Sequence, residues 1–130
     1  MQFNKTTTLR IAVVLGAVAV GVGAFGAHAL KPMLEASGRA NTFELAVRYQ
    51  FYHTLALLGT GLWMNFNASN RLQYAALCFF LGVIFFCGSL YVLCFTGLGI
   101  LGAVTPIGGV FFIGGWVFLL LASFPSTEKY

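Results

Sequence analysis

The sequence predicts an all-α integral membrane protein, a four-helix transmembrane bundle with short loops. Three observations carry that prediction. Only 8% of the 130 residues are charged and 59% are hydrophobic, against about 25% and 45–50% in a soluble domain. The mean hydropathy is +0.89. The apolar residues also fall in continuous runs as long as a bilayer is thick, not in the alternating segments of a β-barrel. Such a chain is too apolar to be disordered. Its seven Lys and Arg residues are scattered, which leaves no basic stripe for nucleic acid.

Residues 1–130 are read as one domain with spans at about 9–30, 42–66, 71–95 and 105–124. Ile11 to Leu30 is an uncharged run of 20 residues, enough for one crossing. Lys31-Pro32 ends it, because a residue before proline avoids the helical region. Lys5 and Arg10 ahead of the run, with Ala27-His28-Ala29 after it, imitate a signal peptide. The run exceeds the usual h-region, so it is read as an uncleaved first span. Pro32 to Ser37 fits a short surface helix ended by Gly38.

Tyr49 to Phe66 is a second run without formal charge, preceded by Asn41-Thr42-Phe43-Glu44, the pattern of a capping box. Asn70-Arg71-Leu72-Gln73 repeats that logic before a third span. Leu72 to Thr127 holds 56 residues without a charge, which requires two spans and a turn. Thr105-Pro106 fits an N-cap with proline at the first helical position of the fourth span. The alternative is a helix from about Leu98 kinked at Pro106. Four spans put both termini on one side with Lys5, Arg10, Arg71 and Lys129, against Lys31, Arg39 and Arg48 on the other. The positive-inside rule then places both termini in the cytoplasm.

Helices in lipid associate through small residues that permit close contact. The first span has two such faces: Ala12, Gly16, Ala19, Gly23 and Gly26 on one, Ala17, Gly21, Ala24 and His28 on another. This predicts a central helix touched from both sides. In the fourth span, Gly108-Gly109 and Gly114-Gly115 flank Phe111-Phe112, which suggests glycine grooves receiving aromatic rings.

Ionisable groups inside a membrane are functional candidates by default. Glu44 and Arg48, four residues apart, read as an interfacial ion pair. His28, Tyr49, Gln50 and His53 form the candidate polar cluster: both histidines approach the same membrane face, and Tyr49, His53 and Thr60 share a helix face with Gln50 on its flank. Three readings stay open for it. They are a hydrogen-bonded staple between helices, a protonatable relay, and metal or haem ligation. Alanine and glycine around His28 invite close helix contact instead of a cofactor, and zinc would need further ligands that no Cys or carboxylate supplies at suitable spacing. No cofactor or metal is therefore expected. Cys78, Cys87 and Cys94 lie in one span and read as packing residues, with Cys94 near the span end the exposed candidate. Aspartate is absent, and no nucleophile–base–acid set appears, so no catalytic residue is assigned.

Four stretches carry a family resemblance: Gly23-Ala24-Phe25-Gly26-Ala27-His28-Ala29-Leu30, Tyr49 through Leu57, Phe86 through Tyr91, and Thr105-Pro106-Ile107-Gly108-Gly109. In them the chain resembles the YgdD-like family of small bacterial inner-membrane proteins. That family is also known as domain of unknown function 423, with eukaryotic relatives called transmembrane protein 256. The resemblance implies a four-span protein of the bacterial plasma membrane and brings no activity with it. The expected function is that of a non-enzymatic accessory component in the lipid bilayer, working as a homo-oligomer or as a subunit of a larger membrane complex. The alternative is a small transporter or channel element for protons or a small solute, using His28, Tyr49, Gln50 and His53. A haem-binding or redox protein is the third reading.

Overall fold

The computed structural model describes residues 1–125. The described residues form helices and turns, with no strand among them. α1 (Lys5–Ala27) leads through a turn to the short α2 (Lys31–Ala36) and then to α3 (Ala40–Trp63). A second helical hairpin follows. Its first arm is α4 (Asn70–Gly82), a π-helical segment (Val83–Gly88) and α5 (Ser89–Thr96). A 3-10 turn (Gly99–Ala103) connects it to α6 (Thr105–Ser123).

Helix ends follow from local chemistry, with some departures from expectation. Asn4 caps α1, its side chain accepting from the Thr7 N–H at 2.9 Å. α3 begins at Ala40 with Arg39 as its cap residue, so Asn41 lies inside the helix. Glu44 turns outward to Arg48 instead of reaching back as a cap. Ser69, not Asn70, caps α4 by accepting from the Arg71 N–H. α6 starts one residue before Pro106, and the 3-10 turn ahead of it is separate, so no proline-kinked longer helix forms. Gly38 (φ +69°) and Gly97 (φ +71°) supply the two left-handed positions that end α2 and α5. At the far end, the Arg71 guanidinium and the Asn67 amide donate to the Leu121 and Ala122 carbonyls, closing the C-terminus of α6.

Among the described residues, three helical stretches are long and apolar enough to cross a membrane: Lys5–Ala27, Asn70–Thr96 and Gly99–Ser123. α3 is of similar length, but Asn41, Glu44, Arg48, Gln50 and His53 dilute its apolar character. The sequence expectation of four spans is thus met by three helices on composition alone.

Contact positions rise along one helix and fall along its partner, which makes both hairpins antiparallel. In the first, Gly26 meets Phe43, Gly23 meets Val47, Gly16 meets Thr54 and Gly61 meets Leu9. In the second, Gly82 receives the Phe112 ring, Gly115 receives the Phe79 ring, and Gly108 lies against the Phe86 backbone. The expected glycine grooves are present, and the tightest one holds backbone instead of a ring. α1 is not the central helix. It packs chiefly on α3, while α3 also meets α4, the π segment and α5. The Ala12–Ala19–Gly26 face of α1 is used, and Ala17 and Ala24 on its second face stay exposed, with open space at Gly21. The core is built around Ala46, Leu57, Ala75, Ala76, Phe79 and Cys87, on α3, α4 and the π segment.

Candidate functional site

α3 presents two faces. Gln50, His53, Thr54 and Thr60 are buried on one, while Glu44 and Arg48 are exposed on the other. Glu44 accepts from Arg48 at 2.9 Å, an i,i+4 pair in the favourable order and at half-exposed positions. Such a pair contributes little to stability.

Gln50 is 2% exposed and joins three helices. Its Nε2 donates to the Leu15 carbonyl of α1 at 3.0 Å. Its Oε1 accepts from the Tyr91 hydroxyl of α5 at 2.7 Å. In an apolar interior each polar group needs a partner, and the amide here has one on each side. The pairing also uses a carbonyl already inside a helix, whose second lone pair is available.

His53 lies deeper along the same face. Its ring stacks on Phe112 of α6 with centroids 3.5 Å apart and planes 12° apart. Nδ1 lies 2.8 Å from the Tyr49 carbonyl, which can only accept, so Nδ1 carries the proton. Nε2 accepts from the Trp116 indole N–H at 3.3 Å. Both nitrogens are therefore engaged in a single neutral tautomer, and its one in-plane lone pair, on Nε2, already accepts from Trp116. Tyr49 completes the stack, 4.7 Å from Phe86 and 5.8 Å from His53.

Tyr49 and His53 stack on one another, Gln50 between them in sequence turns to α1 and α5 instead, and His28 joins neither group. His28 is exposed at the C-terminal end of α1. The antiparallel register explains the separation. Gly16 faces Thr54, so His53 is level with about residue 17 of α1. His28 lies eleven residues further along, about 16 Å at 1.5 Å per residue. Counting inward from Lys31 and Arg48 treats those two charges as level, whereas the register sets Arg48 opposite about Val22.

The partners that complete the cluster are Leu15, Tyr91, Phe112 and Trp116. A backbone carbonyl leaves no sequence signal. Tyr91 shares a face with Cys87 and Cys94, and that was the available clue to it. Cys94 itself is 1% exposed, contrary to expectation, and its thiol reaches the Arg39 carbonyl at 3.8 Å. The Arg39 side chain covers Gly97 above it. Cys78 is the half-buried thiol of the three. Among the described residues, no group of three His, Cys, Asp or Glu comes together to hold a metal.

Among the described residues, cavities lie at opposite ends of the α1–α3 pair. A groove of about 290 Å³ lies among α1, α2 and α3, between Gly23 and Val47 at its inner end and Lys31, Glu35 and Glu44 at its rim. A recess of about 150 Å³ lies at the other end, near Lys5 and Asn67. Neither is lined by Tyr49, Gln50 or His53.

The chain matches the family model described as a protein of unknown function (DUF423) over residues 22–109. It is 43% identical over 120 residues to a UPF0382 membrane protein of Staphylococcus haemolyticus, covering 89% of this chain and 97% of that one. A UPF0382 membrane protein of Staphylococcus epidermidis is 44% identical over 119 residues, covering 88% and 96%. One from Staphylococcus aureus is 43% identical over 120 residues, covering 89% and 97%. No solved structure matches the chain at a significant level. The matched region runs from the C-terminal end of α1 into the start of α6 and includes Tyr49, Gln50 and His53, and on these matches the chain belongs to the DUF423 family, whose staphylococcal relatives are membrane proteins.

Proposed function

We propose that the chain is a single-domain, four-span protein of the bacterial plasma membrane that acts without enzymatic chemistry, by assembling with copies of itself or into a larger membrane complex. The observation that carries this reading is the open face of α1. Ala17 and Ala24 are exposed, and a Cβ at Gly21 would meet nothing within 4 Å. Small residues on a membrane helix permit close approach by another helix, and this stripe has no partner among the described residues. α3 is the fourth span in this reading: its buried polar residues are turned to the protein interior, and Glu44 and Arg48 sit at its end.

Native mass spectrometry after mild extraction tests the assembly. A defined oligomer or a co-purifying partner is expected, and Gly21→Leu with Ala24→Leu should abolish it while leaving α1–α3 packing intact, because Gly16 and Gly23 stay in place. A bare monomer without any partner sinks the reading. Both termini are assigned to the cytoplasm, with Lys5, Arg10 and Arg71 at that end; Lys129, counted with them on sequence, lies outside the described residues. An impermeant thiol reagent checks the topology in a chain without native cysteines. Asn4→Cys and Asn65→Cys should label only from the cytoplasmic side, and Ser37→Cys only from outside.

Transport through His28, Tyr49, Gln50 and His53 has less support. His28 is remote from the other three, and the Gln50 and His53 side chains spend their hydrogen bonds on helix packing.

A further inference from the structure

The groove among α1, α2 and α3 joins an apolar floor to a charged rim. Gly23 and Ala27 of α1 and Phe43 and Val47 of α3 line its floor. Gly26 makes that floor possible, since a Cβ there would run into the Phe43 ring. Lys31, Glu35 and Glu44 form the rim. At about 290 Å³ it sits at the lower end of ligand-site volumes, roughly 300–1,000 Å³.

The rim charges indicate what the groove accepts. One ammonium and two carboxylates line it, while Arg48 stands outside the lining and holds Glu44 only through an exposed pair. Lys31 and Glu35 are 3.9 Å apart with side chains 61% and 59% exposed. Exposed pairs of this kind are weak and exchange partners readily. An anionic head group would meet Lys31 but leave two carboxylates facing it. A head group with both signs satisfies all three, its phosphate at Lys31 and its cation between Glu35 and Glu44. A primary ammonium adds N–H donors for charge-assisted hydrogen bonds to the carboxylates, which a quaternary ammonium lacks.

We propose that this groove binds a phospholipid whose head group carries a phosphate and a primary ammonium, with the upper part of one acyl chain lying over Gly23 and Ala27. The inference goes beyond assembly and stands for a monomer as well as for an oligomer.

The test is native mass spectrometry of the intact protein in detergent containing equal amounts of phosphatidylethanolamine, phosphatidylcholine and phosphatidylglycerol. Retention of phosphatidylethanolamine is expected at about tenfold over the other two. Glu35→Gln with Glu44→Gln should remove that preference and leave total lipid retention nearly unchanged. Ala27→Leu, at an exposed helical position, should fill the floor and reduce retention of every lipid, with helix content by circular dichroism unchanged. Excess glycerophosphoethanolamine, the same head without chains, should not displace the lipid; displacement would assign the site to a soluble head-group compound instead. Equal retention of the three lipids, or an unchanged preference in the double glutamine variant, overturns the proposal. Lys31→Gln is the second variant, expected to lower retention of phosphatidylethanolamine should the double variant lose its helix signal.

Discussion

The Trp116 indole N–H of α6 donates to Nε2 of His53 on α3, 3.3 Å away, although half of the tryptophan is exposed on the outer surface. The side chain thus presents its apolar face outward and its one donor inward. Trp116→Phe removes the donor and leaves Nε2 buried without it. The expected cost is about 1–3 kcal/mol, that of a buried acceptor left without its donor. His53→Ala also loses the Phe112 stack and leaves a cavity, at a cost of about 2–5 kcal/mol. Unfolding in mixed micelles of rising dodecyl sulfate content measures both. Equal costs would mean that the hydrogen bond, not the stack, holds α3 to α6.

The glycine pairs of α6 make a sharper test, because each contains its own control. A Cβ at Gly108 would collide with the Phe86 backbone, which cannot swing away, while one at Gly109 meets nothing within 4 Å. Gly108→Ala is expected to destabilise by about 1–3 kcal/mol through overpacking. Gly109→Ala should be neutral or stabilising by up to about 1 kcal/mol, from helix propensity. The second pair behaves the same way: Gly115 faces the Phe79 ring, whereas Gly114 has only an ordinary contact with the Cys78 sulfur. Midpoints of thermal aggregation for the four alanine variants give the ranking, and similar values for Gly108→Ala and Gly109→Ala would rule out the close crossing.

What was legible in the sequence is what depends on local composition. The uncharged runs located α1, α4–α5 and α6, and the Thr105-Pro106 pair located the start of α6 to within one residue. The polar faces of α3 were legible too, because helical periodicity alone places Gln50 and His53 away from Glu44 and Arg48. Register was not legible. Whether His28 meets His53 depends on which glycine of α1 sits opposite which residue of α3, and charges at helix ends do not encode that. The π segment Val83–Gly88 was equally hidden. It falls at the Gly108–Phe86 crossing, where the tertiary contact is tightest, and no proline or polar residue within it marks the change.

The Tyr91 hydroxyl and Gln50 amide are coupled across α3 and α5 at 2.7 Å. Tyr91→Phe leaves Oε1 unpaired but keeps the Leu15 bond; Gln50→Leu strands the tyrosine hydroxyl and frees the Leu15 carbonyl. A double-mutant cycle with Tyr91→Phe and Gln50→Leu should give a coupling of about 0.6–1.7 kcal/mol, the range of membrane hydrogen bonds. The double variant should be more stable than the sum of the two single losses predicts, because neither buried group is then left without its partner. Strict additivity would mean that the two groups do not bond in the bilayer.

Thr8 and Thr54 reverse the usual expectation for buried polar groups. Both lie in the α1–α3 seam, 0% and 4% exposed, and neither hydroxyl has a hydrogen-bond partner among the described residues. Their methyl groups pack toward Gly61 and Gly16, respectively. The seam is therefore using the β-branched shape while carrying an unpaired hydroxyl. Thr54→Val keeps that shape and removes the unpaired group, so stability should hold or rise by up to about 1–3 kcal/mol, the cost of an unsatisfied buried polar atom. Thr54→Ala, which also removes the methyl over Gly16, should be less stable than Thr54→Val. The same dodecyl sulfate titration reads both. A loss of about 1 kcal/mol or more on Thr54→Val would show that the hydroxyl is satisfied after all. The helices would then have to admit a water molecule or a polar group between Thr54 and the α1 backbone.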